Sequence, residues 1–151
     1  MRQILYTMHF RGQASPAGGE RHVLHTAGSA ASCLVRSMVR RTGLITEVTA
    51  EGGEFAFFES DLRATGGDEF HEEGSISFGE DSEHLLRFST VGTGHMTSGL
   101  APGVTAGSAT WKVEGGEGQF AEARGFITTA FTLSDTGERS DYHCGLIFLP
   151  E

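Results

Sequence analysis

The feature that most constrains the fold is a glycine-rich corner, residues 115–118, between two stretches with strand character. The first stretch ends at Glu114, and the second runs from Phe126 to Leu133 and is rich in Thr, Phe and Ile. The three glycines of the corner allow positive φ values and close backbone approach. Because Phe120 can pack the turn back onto a core, the segment predicts strand, corner, aromatic anchor and strand.

The corner also carries a resemblance to a known family. Gly115-Gly116-Glu-Gly118-Gln-Phe120-Ala-Glu-Ala123-Arg124-Gly125 resembles the Gly-Gly-x-Gly-x-Phe-x-x-Ala-x-Gly pattern in the final strands of allene oxide cyclase and dirigent-like barrels. The resemblance implies a single calycin-like, eight-stranded antiparallel β-barrel. It further implies that the barrel holds a hydrophobic small molecule while that molecule cyclises or couples, and that Arg124 lines the ligand pocket.

A dinucleotide-binding loop is the alternative interpretation of the corner, because Gly116-Glu-Gly118-Gln-Phe-Ala121 satisfies the G-x-G-x-x-A fingerprint. That fingerprint requires a helix after the glycines. The residues after Gly125 are β-branched and aromatic, which favours a strand. No nucleotide cofactor is therefore expected.

Composition favours one domain over residues 1–151. The chain is long enough for one core, and its 22 glycines against 3 prolines suit many strands joined by tight turns. Glycine-containing turns are predicted at Glu51–Glu54, Thr65–Asp68, Gly79–Ser82 and Asp135–Glu138. The segment Gly92–Gly107 is predicted to be the longest irregular stretch, and the segment from Gly28 to Arg41 is ambiguous between strand and helix, with strand favoured.

Charge and cysteine content bound the partners and the location. The net charge of -9 argues against nucleic acid and anionic membranes as partners. No apolar stretch is long enough to span a membrane, and the first ten residues lack the apolar core of an export signal. Cys33 and Cys144 are far apart and have no metal-binding spacing, so free thiols and a cytoplasmic location are predicted, with a disulfide as the alternative.

Two acidic side chains are predicted to share a face with two aromatic ones. Alternation along a strand places Phe55, Phe57, Glu59 and Asp61 on one side. Desolvated neighbouring carboxylates raise one pKa, as a general acid or base requires. We therefore predict Glu59 as a catalytic residue and Phe57 as a ligand contact, and a solvated rim is the alternative.

Three basic or titratable residues are further catalytic candidates. His71 titrates near neutral pH, and Arg87 lies on an otherwise apolar strand, where its planar fork could hold a carboxylate or an enolate. His95 lies in the glycine-rich stretch and is predicted to swing over the barrel mouth. For each of them an exposed surface position is the alternative.

The last strands supply the remaining candidates. Trp111 would fill the barrel floor or stack against a ligand. Asp141 and His143 would point opposite to Tyr142, and this trio is interpreted as packing and rim. Among the seven histidines there is no His-x-His pair, so no metal site is expected.

These observations predict an all-β barrel that binds a hydrophobic or polyunsaturated small molecule and promotes its isomerisation or cyclisation. A non-catalytic lipocalin-like carrier is the alternative, and a structural subunit with a filled barrel is the third. A homo-oligomer, dimer or trimer, is also expected. The strand from Phe55 to Leu62 has phenylalanines on both faces, and a barrel buries only one of them.

Overall fold

A computed structural model describes residues 1–20 and 22–151. The all-β prediction is confirmed, and the described residues contain no α-helix. None of their helical turns is long and apolar enough to cross a membrane. The nine strands are β1 (Arg2–Pro16), β2 (Val23–Arg40), β3 (Gly43–Gly66), β4 (Glu69–Phe78), β5 (His84–Thr90), β6 (Gly94–Ala101), β7 (Val104–Glu117), β8 (Arg124–Ser134) and β9 (Glu138–Leu149).

Eight of the strands form a closed, hydrogen-bonded ring. The order around the ring is β1, β2, β3, β4, β5, β7, β8 and β9, and every neighbouring pair is antiparallel. β5 pairs with one part of β7 and β6 pairs with another part. His95 of β6 lies between β7 and β4, because it pairs with Ser108 and also with Glu69. β5 and β6 are therefore two halves of one interrupted ring strand.

Three of the four predicted turns are confirmed, and the glycine corner is confirmed with them. β3 ends at Gly66, β4 at Phe78 and β8 at Ser134, each beside a predicted turn. At the corner, Gly118 has a φ of 59° and begins a short 3₁₀ turn whose Phe120 is buried. The segment that follows is strand β8, so the helix required by a dinucleotide fingerprint is not formed there.

Two sequence predictions about connections are wrong. Glu51–Glu54 is not a turn, because β3 runs through it without interruption from Gly43 to Gly66. The hairpin turn lies at residues 41–42, and Gly53, at a φ of 138°, lies opposite the register shift of β2 between Ala31 and Cys33. Likewise Gly92–Gly107 is mostly strand, since β6 and the start of β7 pair within it.

Aromatic and aliphatic side chains fill the interior of the ring. Alternate residues of β3 point inward, so Phe58 and Leu62 are buried while Phe57 is exposed. The Phe88 ring stacks on Trp111 with centroids 3.9 Å apart. The largest fully buried apolar side chains are Trp111, Phe10, Phe70, Phe88, Leu62, Ile76, Leu86, Ile127 and Ile147.

Beyond the register shift, β2 and β3 continue as a two-stranded hairpin outside the ring. Residues 33–50 pair only with each other, from Cys33 opposite Ala50 to Arg40 opposite Gly43. We call residues 33–50 the arm. All of its residues except Cys33 and Met38 are exposed. The ring therefore has a packed interior, whereas the arm has solvent on both faces.

Candidate functional site

Strand β9 brings three ionisable side chains into the apolar interior. Arg139, Asp141 and His143 occupy alternate positions and are 4%, 1% and 2% exposed. Tyr142, between the last two, is exposed on the outside. As predicted, Asp141 and His143 point to one side of β9 and Tyr142 points to the other. The side of Asp141 and His143 lies in the core and not at a rim.

Arg139 is held by a glutamate on the opposite side of the ring. Its Nη1 donates to Oε2 of Glu72 at 2.7 Å and its Nη2 to Oε1 at 3.3 Å. The Ser60 hydroxyl donates to the same carboxylate at 2.6 Å, and Thr26 contacts both Ser60 and Arg139. Because two parallel hydrogen bonds fix a guanidinium in one orientation, Arg139 is a rigid part of the interior.

Asp141 links Arg139 to a histidine and a tyrosine. Its Oδ2 lies 2.7 Å from Nη2 of Arg139 and 3.2 Å from Nε2 of His143, while Thr129 donates to its Oδ1. The Tyr6 hydroxyl lies 2.9 Å from Nδ1 of His143. We call Tyr6, Glu72, Arg139, Asp141 and His143 the interior cluster.

The protonation states in the interior cluster follow from burial and neighbouring charge. Burial raises the pKa of Tyr6 well above its usual range, and Asp141 raises it further. Tyr6 is therefore a neutral hydroxyl, which can either donate to or accept from Nδ1 of His143. The other ring nitrogen of His143, Nε2, faces Asp141.

The charges of Asp141 and Arg139 stabilise each other. Burial alone raises the pKa of Asp141, but His143, Arg139 and the Thr129 hydrogen bond outweigh burial and lower it. Burial lowers the pKa of Arg139, whereas Glu72 and Asp141 raise it to above its usual value. Both groups are therefore ionised at neutral pH inside a low-dielectric core.

Polar atoms without hydrogen-bond partners lie beside an aromatic wall. The Trp111 ring stands edge-on to His143, with centroids 4.8 Å apart, and stacks on Phe58 and Phe88. Within residues 1–20 and 22–151, four buried side-chain atoms make no hydrogen bond of good geometry: Trp111 Nε1, Arg139 Nε, Asp141 Oδ2 and His143 Nε2. Asp141 Oδ2 nevertheless lies in ion-pair contact with Arg139 and His143, so Trp111 Nε1 and Arg139 Nε are the two of these atoms without a polar partner. An unsatisfied buried polar atom costs about 1–3 kcal/mol, so such a group calls for an explanation.

Two cavities meet at Arg139. One has a volume of about 10 Å³ and lies against Phe10, Phe58, Arg139 and Asp141, which is room for about one water molecule. The other is open, has a volume of about 600 Å³ and lies on the outer surface, because its lining includes Arg11, Thr132 and Ser140, which share the outward face of their strands with Tyr142. The small cavity is therefore the one that adjoins the interior cluster.

Two of the predicted catalytic residues form ion pairs on the outer surface. Glu59 is exposed, and its Oε1 lies 3.1 Å from Nε2 of His25, which also contacts Asp61 at 3.1 Å. Arg87 is half exposed and pairs with Glu117 at 2.8 Å. The prediction that Glu59 and Asp61 share a face is confirmed. Glu59 and Arg87 do not face the interior of the ring, because their buried strand neighbours take the inward positions.

The other predicted residues divide between the two sides. His71 is half-buried on the outer side, opposite the inward Glu72, and His95 and Arg124 are exposed. Phe57 is 52% exposed, so it does not contact the interior. Only Trp111 of the predicted catalytic and ligand-binding residues lies inside the ring, where it fills the core.

Sequence reasoning missed Tyr6, Glu72 and Arg139 as site residues. A signal for Glu72 was present, because it alternates with the apolar Phe70 and Ile76 on β4. Arg139 shares one face of β9 with Asp141 and His143. Glu72 and Arg139 lie on different strands, so their pairing can be predicted only when ring closure is known to bring the two faces together.

Within the described residues, no group of three or more His, Cys, Asp or Glu side chains is arranged to hold a metal ion. Comparison with known proteins adds no relative to this geometry: no protein-family model, no curated protein and no solved structure matches the chain. The site is therefore interpreted from its own contacts.

Proposed function

We propose that the ring binds a small apolar molecule through a carbonyl or carboxyl oxygen and promotes its isomerisation or cyclisation by proton transfer. The observation that carries this proposal is the unpartnered Nε1–H of Trp111 beside the Asp141–His143 contact in an aromatic interior. Trp111 supplies an N–H donor, and Asp141 supplies a carboxylate oxygen. Such a set suits a reaction that develops negative charge on oxygen while a proton leaves carbon.

The roles follow from these contacts. Trp111 Nε1–H would donate to the substrate oxygen, and His143, which contacts Asp141 at 3.2 Å and Tyr6 at 2.9 Å, would orient the carboxylate. The Asp141 carboxylate would take the proton from carbon and return it at another carbon, so the reaction needs no co-reactant. A carboxylate with a lowered pKa is a weak base, and stabilisation of the developing oxyanion by the Trp111 donor must therefore supply much of the rate gain.

The interior has room for a small reacting group. The cavity beside Asp141, of about 10 Å³, admits a group such as a carbonyl oxygen. The apolar body of the ligand would need the packed side chains around this cavity to move apart. The eight-strand ring is compatible with a calycin-like barrel of the allene oxide cyclase or dirigent kind, which supports the proposal.

A matched pair of carboxylate variants tests this function. The substrates are β,γ-unsaturated ketones, whose conversion to conjugated enones is followed by ultraviolet absorbance. Asp141→Asn should lower kcat by about 10²–10⁴-fold, because it removes the base. Glu59→Gln, on the outer surface, should leave kcat unchanged. Binding is read separately from the fluorescence of Trp111, the single tryptophan. Full turnover in Asp141→Asn would contradict the proposal.

A non-catalytic carrier is the second candidate, and one observation favours it. The charges of the interior cluster already compensate one another, since Arg139 contacts both Glu72 and Asp141. A carrier needs only an apolar surface and one orienting hydrogen bond. Ligand-induced fluorescence changes without enone formation would favour the carrier, and the absence of any binding would contradict both candidates.

We also propose a cytoplasmic location. Both cysteines are free: Cys33 is half-buried and Cys144 is exposed. An exposed thiol persists in a reducing compartment and is readily oxidised elsewhere. If the protein isolated from its native source under thiol-blocking conditions carries Cys144 as a mixed disulfide, this location is wrong.

A further inference from the structure

The arm and the adjoining ring wall share one continuous strip of uncharged side chains. Residues directly opposite each other in an antiparallel pair point to the same side. The strip runs along the pairs Val39–Leu44, Ser37–Thr46, Val35–Val48 and Cys33–Ala50, and continues past the register shift as Ala31–Phe55 and Ser29–Phe57. The opposite face of the arm is different, because it carries the Arg36–Glu47 ion pair at 3.3 Å.

The strip is apolar and exposed. Val39 is 88% exposed, Leu44 is 70% exposed, and Phe55 and Phe57 are each 52% exposed. At about 3.3 Å per residue, the strip extends roughly 33 Å from Val39 to Ser29. An isolated two-stranded hairpin is marginally stable in water, and an exposed apolar surface of this extent marks an interaction site.

Opposite charges stand at the two ends of the strip. The tip of the arm carries Arg41 in the turn and Arg40, which lies on the Arg36 face and contacts Met38. The ring end carries Glu59 and Asp61, both exposed and both in contact with His25. Residues 33–50 contain three arginines and one glutamate, while the rest of the chain contains eight basic and nineteen acidic residues. The arm is thus a cationic extension of an acidic protein.

We propose that the strip binds a second copy of this chain, so that two molecules pack antiparallel about a two-fold axis. In this arrangement the Arg40 and Arg41 tip of each copy reaches Glu59 and Asp61 of the other, and the apolar middle sections cover one another. A two-fold interface requires a self-complementary surface, and a strip with a cationic end, an apolar middle and an acidic end has that property. The occupant is therefore a copy of the chain, because the chain itself supplies the complement of each end.

The concave shape at the base of the arm supports the same arrangement. A groove of about 410 Å³ lies between the arm and the ring wall, and its lining includes Val48, Ala50, Phe55 and Tyr142. The Tyr142 ring stacks on His9 with centroids 4.2 Å apart, which gives the groove a firm wall. Apolar side chains of the second copy would fill this groove at the centre of the interface, where binding energy concentrates.

Charge exchange tests the antiparallel register. Sedimentation velocity should find the wild-type chain dimeric at micromolar concentration. Arg40→Glu with Arg41→Glu should weaken the dimer at least tenfold, because each tip then repels the acidic end of the other copy. Glu59→Arg with Asp61→Arg should weaken it by a similar factor. An equimolar mixture of the two variants should form heterodimers, since both contacts in it again join opposite charges.

A neighbouring pair of substitutions tests the face. Val35→Glu places a charge on the strip and should dissociate the dimer, whereas Leu34→Glu places the same charge on the other face and should leave it intact. Both side chains are exposed, so neither substitution disturbs a core, and melting curves check this. A monomeric wild-type chain would overturn the proposal. So would a trimer, equal effects of the two glutamates, or a mixture of the charge variants that stays monomeric.

Discussion

Strands β2 and β3 run through both the ring and the arm, yet the two regions differ in what holds them together. Along the ring half of β3, residues alternate strictly between buried and exposed from Phe55 to Leu62. Along the arm half, from Gly43 to Ala50, every residue is exposed. Backbone pairing is equally regular in both halves. Strand pairing alone therefore does not make a core, and closure of the ring decides which residues are buried.

The largest expected difference concerns matched arginines inside and outside the ring. Arg139→Met should lower the free energy of unfolding by about 3–5 kcal/mol, because Glu72 and Asp141 would remain buried without their counter-charge. Arg87→Met removes a half-exposed partner of Glu117 and should cost about 0–1 kcal/mol. Urea unfolding measures both, and equal losses would contradict the assignment of Arg139 to a buried network.

Glycines give the next comparison. A Cβ at Gly116 would collide with the Leu85 carbonyl oxygen, whereas nothing lies near a Cβ at Gly52, at the base of the arm. Gly116→Val should therefore cost on the order of 1–3 kcal/mol, and Gly52→Val should stay within about 0.5 kcal/mol. Thermal unfolding of the two variants distinguishes them, and a silent Gly116→Val would contradict the close packing of β5 on β7.

The pH dependence of stability should report Asp141. Because the folded protein lowers its pKa, this carboxylate contributes stability that is present above its unfolded pKa of about 3.9 and is lost as the pH falls through the folded pKa. Asp141→Asn should reduce the slope of unfolding free energy against pH in that acidic window by up to about 1.4 kcal/mol per pH unit. If urea unfolding between about pH 2 and about pH 5 gives the same slope for both proteins, the ionised state assigned to Asp141 is contradicted.

The smallest effect is expected in the arm. Val39→Ala, in a chain already made monomeric by Arg40→Glu and Arg41→Glu, should change the free energy of unfolding by less than about 0.5 kcal/mol, because Val39 is 88% exposed. Chemical denaturation of the monomeric background with and without the substitution measures it. A loss above about 1 kcal/mol would mean that the arm packs against its own ring.

Local sequence signals predicted the features that depend on neighbours along the chain. The glycine corner, three turns and the shared face of Asp141 and His143 follow from turn chemistry and strand alternation. Glu51–Glu54 did not behave as a turn, because Gly53 tolerates a positive φ within a strand that bends out of the ring. No local sequence feature distinguishes a glycine in a hairpin turn from a glycine with a positive φ inside a strand.

Long-range strand pairing limits how much of the site can be predicted from the sequence. Glu72 and Arg139 are separated by 67 positions in the sequence, and they meet only because the ring closes. Glu59 and Arg87 look equally suited to catalysis in the sequence, yet both face outward. Alternation divides a strand into two faces but does not say which one is inside. That choice depends on the packing of the other strands.

Amide hydrogen exchange of the wild-type chain and the Arg40→Glu, Arg41→Glu variant tests the contrast between ring and arm most directly. Amides of β8 and β9 should be equally protected in both proteins, because the ring holds its own core. Amides of residues 33–50 should be protected in the wild-type chain, where the proposed dimer covers them. They should exchange rapidly in the variant at a concentration at which it is monomeric, since the hairpin then has no packed face. If the arm is equally protected in both proteins, its stability does not come from a second copy and the account is contradicted.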